Sequence, residues 1–272
     1  MNRYYLLFVF IVVLASCSSK FSKTLKSTDN EYKLKMAENY YAKKDYNKAF
    51  ALYEDLFPVF KGTAKFEDLY YKYAMTSFNL KDYVNAENLF KTFVETFPNS
   101  PNAEEADFMR AFSFYKQSPK PELDQTNTMK AMGQMQVFIN THPTSARVPQ
   151  ATDIIDECRA KLEIKDYKNA ELYYNMGFYK AAAIAFGSLT DNFPDTKKGD
   201  EYKLMVIKSY YLYAENSVEE KQAERYEKVV NECIDFADRF PESKLVTTVN
   251  TYKQQSLNNI NTKNNEQTKK TT

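Results

Sequence analysis

The side chains able to carry chemistry are few. The 272-residue chain has one histidine, His142, three cysteines at positions 17, 158 and 233, and five glycines. One His without a Cys-x-x-Cys pair supports neither a zinc site nor a Ser/His or Cys/His nucleophilic pair. Five scattered glycines cannot build a phosphate-cradling loop. The acid pairs Glu104–Glu105 and Glu219–Glu220 read as solvated helix faces, and His142 stands where sister segments have Phe97, Phe193 and Phe240. The reading is a non-enzymatic chain, with no catalytic residue, no metal and no soluble cofactor.

Cys17 is the exception. Asn2–Arg3 gives a short positive region and Leu6–Val13 an apolar run too short to span a bilayer. Leu14–Ala15–Ser16–Cys17 follows, with small residues suited to a peptidase cleft ahead of a thiol that can be acylated. This looks like a bacterial lipobox. The expectation is a signal peptide over 1–16 and an N-acyl diacylglycerol (palmitate-type chains) on Cys17, enough for stable anchoring. No Asp follows Cys17 in Ser18–Ser19–Lys20, which directs the expectation to the outer membrane. Cleavage removes Arg3 and leaves equal numbers of basic and acidic residues. A neutral mature chain gives no reason to expect nucleic acid as a partner. Cys233 falls where a core aromatic is expected and Cys158 lies in an inserted segment; both read as buried thiols, a disulfide being the alternative in an oxidising compartment.

The elements that must position such a chain are visible in its self-similarity. Tyr71–Pro98 reads as two amphipathic helices joined at Leu80–Lys81–Asp82. Ala74 and Ala86 permit close backbone approach, and Phe90 and Phe93 fill the space beside them. First helices align on Ala37, Ala74, Ala111, Ala170 and Ile207, and second helices on Ala49, Ala86, Ala131, Ala182 and Val229. Four second helices end at FPNS (97–100), HPTS (142–145), FPDT (193–196) and FPES (240–243). In the first repeat, Pro58 lies three residues before its expected column. The fold class is therefore all-α, a tetratricopeptide-repeat (TPR) solenoid of about five helical hairpins. Insertions fall at 118–127 and at Val148–Lys165, the latter read as a longer or extra helix. The expected layout has a signal peptide at 1–16, a lipidated flexible tether at 17–30, and repeats 1–3 at 31–145. An inserted helix with repeats 4–5 follows at 146–256, then a disordered Asn/Thr/Lys-rich tail at 257–272.

Two adjacent aromatic columns run through the first helices. Tyr40, Ser77, Phe114, Tyr173 and Tyr210 match the core position of the TPR signature. Tyr41, Phe78, Tyr115, Tyr174 and Tyr211 point about 100° away and are read, with residues three and seven earlier, as facing a groove. Those earlier residues are Leu34 and Glu38, Tyr71 and Met75, and Phe108 and Phe112. Rings and Met suit an extended or amphipathic peptide. The candidate peptide-binding residues are Tyr41, Tyr71, Met75, Phe78, Phe112 and Tyr115; the competing reading is that these rings pack between repeats.

Lipobox, tether, five repeats and a long insertion after the third together resemble the BamD (ComL/YfiO) family, tetratricopeptide lipoproteins of the outer-membrane β-barrel assembly (BAM) machinery. The nearest local likeness is Ala170–Thr196. The resemblance implies a non-catalytic, lipid-anchored scaffold facing the periplasm of a Gram-negative cell. Its N-terminal repeats would receive unfolded outer-membrane proteins, and repeats 4 and 5 would dock a BamA-like periplasmic domain. The alternatives are a TPR lipoprotein coordinating envelope division or peptidoglycan synthesis, or an auxiliary subunit of an envelope enzyme complex.

Overall fold

Small residues at fixed intervals allow helices to pair closely. Ala37, Ala49, Ala74, Ala86, Ala111, Ala131, Ala170 and Ala182 are all fully buried, as are Ile207 and Val229. The computed structural model describes residues 20–271, with side chains to residue 265. The segment read as a signal peptide, and Cys17, lie outside the described residues. Within them the secondary structure is helical, with no strand.

A short helical segment at 20–25 precedes α1 (Asn30–Ala42), α2 (Tyr46–Phe60), α3 (Phe66–Asn79), α4 (Tyr83–Thr96), α5 (Ala103–Gln117) and α6 (Thr126–Thr141). Then come α7 (Val148–Asn175), α8 (Tyr179–Asn192), α9 (Gly199–Glu215), α10 (Glu219–Arg239) and α11 (Val246–Thr271). Two compact units result. The first takes in residues to Pro119 with Leu123–Arg159, the second Lys120–Glu122 with Ala160–Thr272. In the first unit each of α1 to α6 packs on its neighbours in sequence; in the second, α8 to α11 do the same and α9 also touches α11. Sequential packing of helical hairpins is the tetratricopeptide fold, and each repeat buries its apolar face only against the next.

Helix ends follow one rule. Phe97, His142, Phe193 and Phe240 occupy the C-cap of α4, α6, α8 and α10, each N–H bonding the carbonyl four residues back. The hydroxyl two residues past the following proline then makes two bonds. Ser100 donates to Glu67 Oε1 (2.6 Å) and accepts from the Asn102 N–H. Ser145 does this with Glu104 and Arg147, Thr196 with Glu163 and Lys198, and Ser243 with Asp200 and Leu245. Each of these four turns is thus stapled to a carboxylate near the start of the preceding first helix, or in repeat 4 on α7. Glu104, expected to be merely solvated, is one of these anchors, and its neighbour Glu105 holds Arg147.

Several expectations change. The stop of the first repeat is Phe60–Lys61–Gly62–Thr63, with Thr63 N–H bonding Phe60 O at 2.9 Å, so Pro58 is not its marker. The helix passes through Pro58 on its exposed side to Phe60, where a lost internal N–H bond is least costly. Of the two readings of Val148–Lys165, a longer or an extra helix, the structure has the longer. The segment is the first part of α7 and runs unbroken into the first helix of repeat 4, since neither Pro nor Gly interrupts 150–175. The tail expected to be disordered from 257 continues α11 to Thr271. Its stripe Val249, Tyr252 and Ile260 packs on the core of repeat 5. The tether is helical at 20–25, where Phe21 meets Tyr40 edge-on at 5.8 Å. Cys158 and Cys233 are buried thiols.

Candidate functional site

The candidate groove residues lie on the first helices of the first three hairpins. Tyr41 closes α1; Tyr71, Met75 and Phe78 sit on α3; Phe112 and Tyr115 sit on α5. All six are half-buried and fringe the first unit's core. Behind them Phe90 and Phe93 are fully buried, as the hairpin pattern requires. The columns sort less cleanly than expected. Leu34 and Phe108, read as groove residues, are core, whereas Tyr71, at the same seven-residue offset from its ring, is half-buried. Conversely Tyr173, read as core, is 44% exposed.

The rings engage one another. Tyr41 meets Tyr46 at 5.8 Å and Phe78 meets Tyr83 at 5.2 Å, each ring closing on the first residue of its own second helix. The repeat 3 insertion removes that partner from Tyr115, which stacks instead on Phe112 at 5.7 Å. Phe112 also stacks on Phe78 of the preceding repeat at 5.7 Å. A continuous row Tyr83–Phe78–Phe112–Tyr115 thus crosses repeats 2 and 3. Offset stacking contributes about 0.5–1.5 kcal/mol per pair beyond area burial. These rings join repeats, and they keep a share of their surface open.

Polar groups frame the row. Lys116 Nζ lies 4.6 Å from the Phe112 centroid. Lys72 bridges Glu38 of α1 (3.0 Å) and Asp68 (2.7 Å). Arg147 grips Glu105 through two nitrogens (2.9 and 2.5 Å) and lies 4.8 Å from the Phe108 ring. The Tyr115 hydroxyl donates to Glu157 of α7, which, with burial, pushes its pKa up to about 12. Burial, then the Glu105 charge, pushes Tyr71 to about 12. Burial likewise raises Tyr41. These phenols stay protonated through neutral pH, as donors rather than bases. The face thus sets open ring surfaces beside hydrogen-bond donors.

His142 is accounted for structurally. Its ring lies 5.0 Å from Phe138 and its Nε2 3.4 Å from Asp107. Glu157, Lys116 and Arg147 were missed because they carry no repeat register; Glu157 lies 42 residues past its partner, inside the insertion.

A family model described as YfiO, outer membrane lipoprotein, matches residues 27–226. A curated protein of Aquifex aeolicus, "Putative outer membrane protein assembly factor BamD", is 26% identical over 171 residues, 63% of this chain and 54% of the relative. The chain thus spans about half the length of that relative. Among solved structures, the TPR2AB domain of yeast Sti1 in its pHSP90 complex aligns over 84% of this chain and 98% of its own, at 11% identity and a TM-score of 0.39. That likeness is too slight to bear on the fold, which rests on the helices themselves.

Proposed function

The chain belongs to the YfiO family of outer membrane lipoproteins, and we propose that it is a non-enzymatic scaffold of outer-membrane β-barrel assembly. Repeats 1–3 would hold unfolded barrel proteins through their terminal strand, and repeats 4–5 would dock a BamA-like periplasmic domain. Lipid on Cys17 would hold the chain at the periplasmic face of the outer membrane. No helix among the described residues is long and apolar enough to cross a membrane. Sharing one membrane surface raises the effective concentration of receptor and assembly protein.

The observation that carries the reading is the half-open aromatic row from Phe78 through Phe112 to Tyr115. A barrel's terminal strand alternates aromatic and polar residues, so ring contacts can retain it while its unpaired backbone stays solvated. The test replaces Phe78 and Phe112 with Leu, which keeps apolar volume but removes the ring faces. Binding of a fluorescent peptide copying a barrel's C-terminal strand is then measured by anisotropy. At least tenfold weaker binding is expected, with helical content by circular dichroism retained and a melting temperature lowered by the lost ring pairs. Equal affinity in wild type and double variant overturns the groove assignment.

A further inference from the structure

The second unit carries an apolar patch that the groove reading does not use. Leu172, Tyr173, Met176, Phe178 and Ile184 are each 44–57% exposed, and all sit at the tip of the α7–α8 hairpin. Solvated patches of clustered large apolar side chains commonly mark interaction surfaces.

The turn itself singles this tip out. Hairpins 1, 2 and 4 share one geometry: a left-handed residue (Lys44, Lys81, Gly177), then an N–H bonding the carbonyl five residues back. In hairpins 1 and 2 the residue after it is Asp45 or Asp82, whose carboxylate pairs with Lys48 or accepts from the Asn85 N–H. In hairpin 4 that position is Phe178, with no side-chain cap bond. A stabilising acid is replaced by an exposed ring.

Beside Phe178 and Ile184 lies a groove of about 480 Å³, bounded also by Tyr173, Tyr213 and Lys180. It adjoins a second cleft of about 530 Å³, sharing Lys180 and Tyr213. That cleft brings Lys180, Lys221, Arg225 and Lys228 against two carboxylates, Glu224 and Glu227. Its floor is aromatic: the Arg225 guanidinium is 4.1 Å from the Tyr213 ring and Lys228 Nζ 5.6 Å from Tyr210. Lys221 is spent on Glu224 and Lys228 on Glu232. Lys180, at the seam of the two clefts, has no side-chain partner among the described residues.

We infer that the α7–α8 tip and the adjoining cationic cleft form a docking site for an acidic, apolar-anchored peptide segment of a partner protein. Aromatic or aliphatic side chains would enter beside Phe178 and Ile184. Carboxylates a few residues away would pair with Lys180 and Arg225. An apolar anchor gives affinity and the adjoining charge fixes direction. The inference rests on the docking role proposed for repeats 4 and 5, and supplies the chemistry of that surface.

The probe is a phage-displayed random 12-residue peptide library, panned against the full lipidated chain in detergent. Enriched peptides are expected to join large apolar residues to Asp or Glu. Their affinity should fall at least tenfold with Phe178→Ser and with Lys180→Glu. A peptide whose acids are changed to Lys should regain binding to Lys180→Glu. Both positions are exposed, and circular dichroism checks that the variants fold. Enrichment of basic or uncharged peptides, or binding indifferent to both substitutions, overturns the site. So does binding to phosphatidylglycerol–phosphatidylethanolamine vesicles that both substitutions abolish, which would assign the patch to lipid. Concentration-dependent dimerisation lost in Phe178→Ser would assign it to a second copy and also overturn it. Co-purification of a β-barrel assembly protein with wild type is scored separately, so failure of the site and failure of the docking role are told apart.

Discussion

Replacing Lys203 with Met should test how the second unit is held. Lys203 has a side chain only 8% exposed, and its Nζ bonds both Glu232, itself 13% exposed, and Asp235. Glu232 keeps a second cation, Lys228, at 2.7 Å. Breaking a buried pair costs about 3–5 kcal/mol because the surviving charge stays desolvated. Retention of Lys228 places the expected loss at the lower bound, about 3 kcal/mol. Unfolding entropy is about 2.1 cal/mol/K per residue, or about 0.24 kcal/mol/K over the roughly 116 residues of the second unit. The melting temperature of that unit should therefore fall by about 12 °C in scanning calorimetry. Acid provides a second check. Burial acts to raise the Glu232 carboxyl, but hydrogen bonds from Lys203 and Lys228 outweigh it and hold the group below its usual value. A depressed carboxyl contributes stability above its unfolded pKa of about 4.3, and loses it as pH falls through the folded value. The gap between wild type and K203M should therefore be full above about pH 5 and shrink on further acidification. A loss under about 0.5 kcal/mol, or a gap that widens in acid, refutes the reasoning.

Three further outcomes follow from the turns and the buried thiol. Gly177 holds φ +79° with nothing within 4 Å of an added Cβ, so Gly177→Ala should cost about 1–2 kcal/mol from backbone strain, while Lys81→Gly, at φ 64°, should be neutral or slightly stabilising by urea melts. Ser100→Ala removes both the bond to Glu67 and the turn bond to Asn102 and should cost about 1.5–3 kcal/mol in the same melts; a neutral result would show the staple to be incidental. Burial pushes the Cys233 thiol up to about 11, so native protein at pH 8 should react with a thiol-specific chromogen far more slowly than urea-unfolded protein, and equal rates would contradict the burial.

The repeat architecture was legible because it rests on volume at fixed intervals. Every small residue in the two alanine columns packs at a helix crossing, and Phe90 and Phe93 fill the core beside them. The four proline stops were equally plain. What escaped depended on partners distant in sequence or on composition overriding pattern. The Ser100–Glu67 staple spans 33 residues and shows no local periodicity. The tail from 257 looked disordered from its Asn and Thr content, although Ile260 continues the helical stripe of Val249, Tyr252 and Ser256 that precedes it. Leu34 and Phe108, read as flanking the groove, are core, although Tyr71, at the same seven-residue offset from its ring, stays half-buried with Met75 and Phe112; the offset alone does not decide burial. The docking tip was invisible in sequence because Phe178 looks like an ordinary core aromatic until the turn is seen to push it outward.

The proposed scaffold binds barrel substrates on an aromatic face of repeats 1–3 while repeats 4–5 hold the assembly protein. The most direct measurement is affinity purification of the lipidated chain from detergent-solubilised outer membranes, comparing wild type with the Phe78→Leu/Phe112→Leu variant. A large β-barrel assembly protein should come down with both, and unfolded barrel substrates with wild type only. Recovery of peptidoglycan synthases or an unrelated enzyme in place of the assembly protein would contradict that scaffold role.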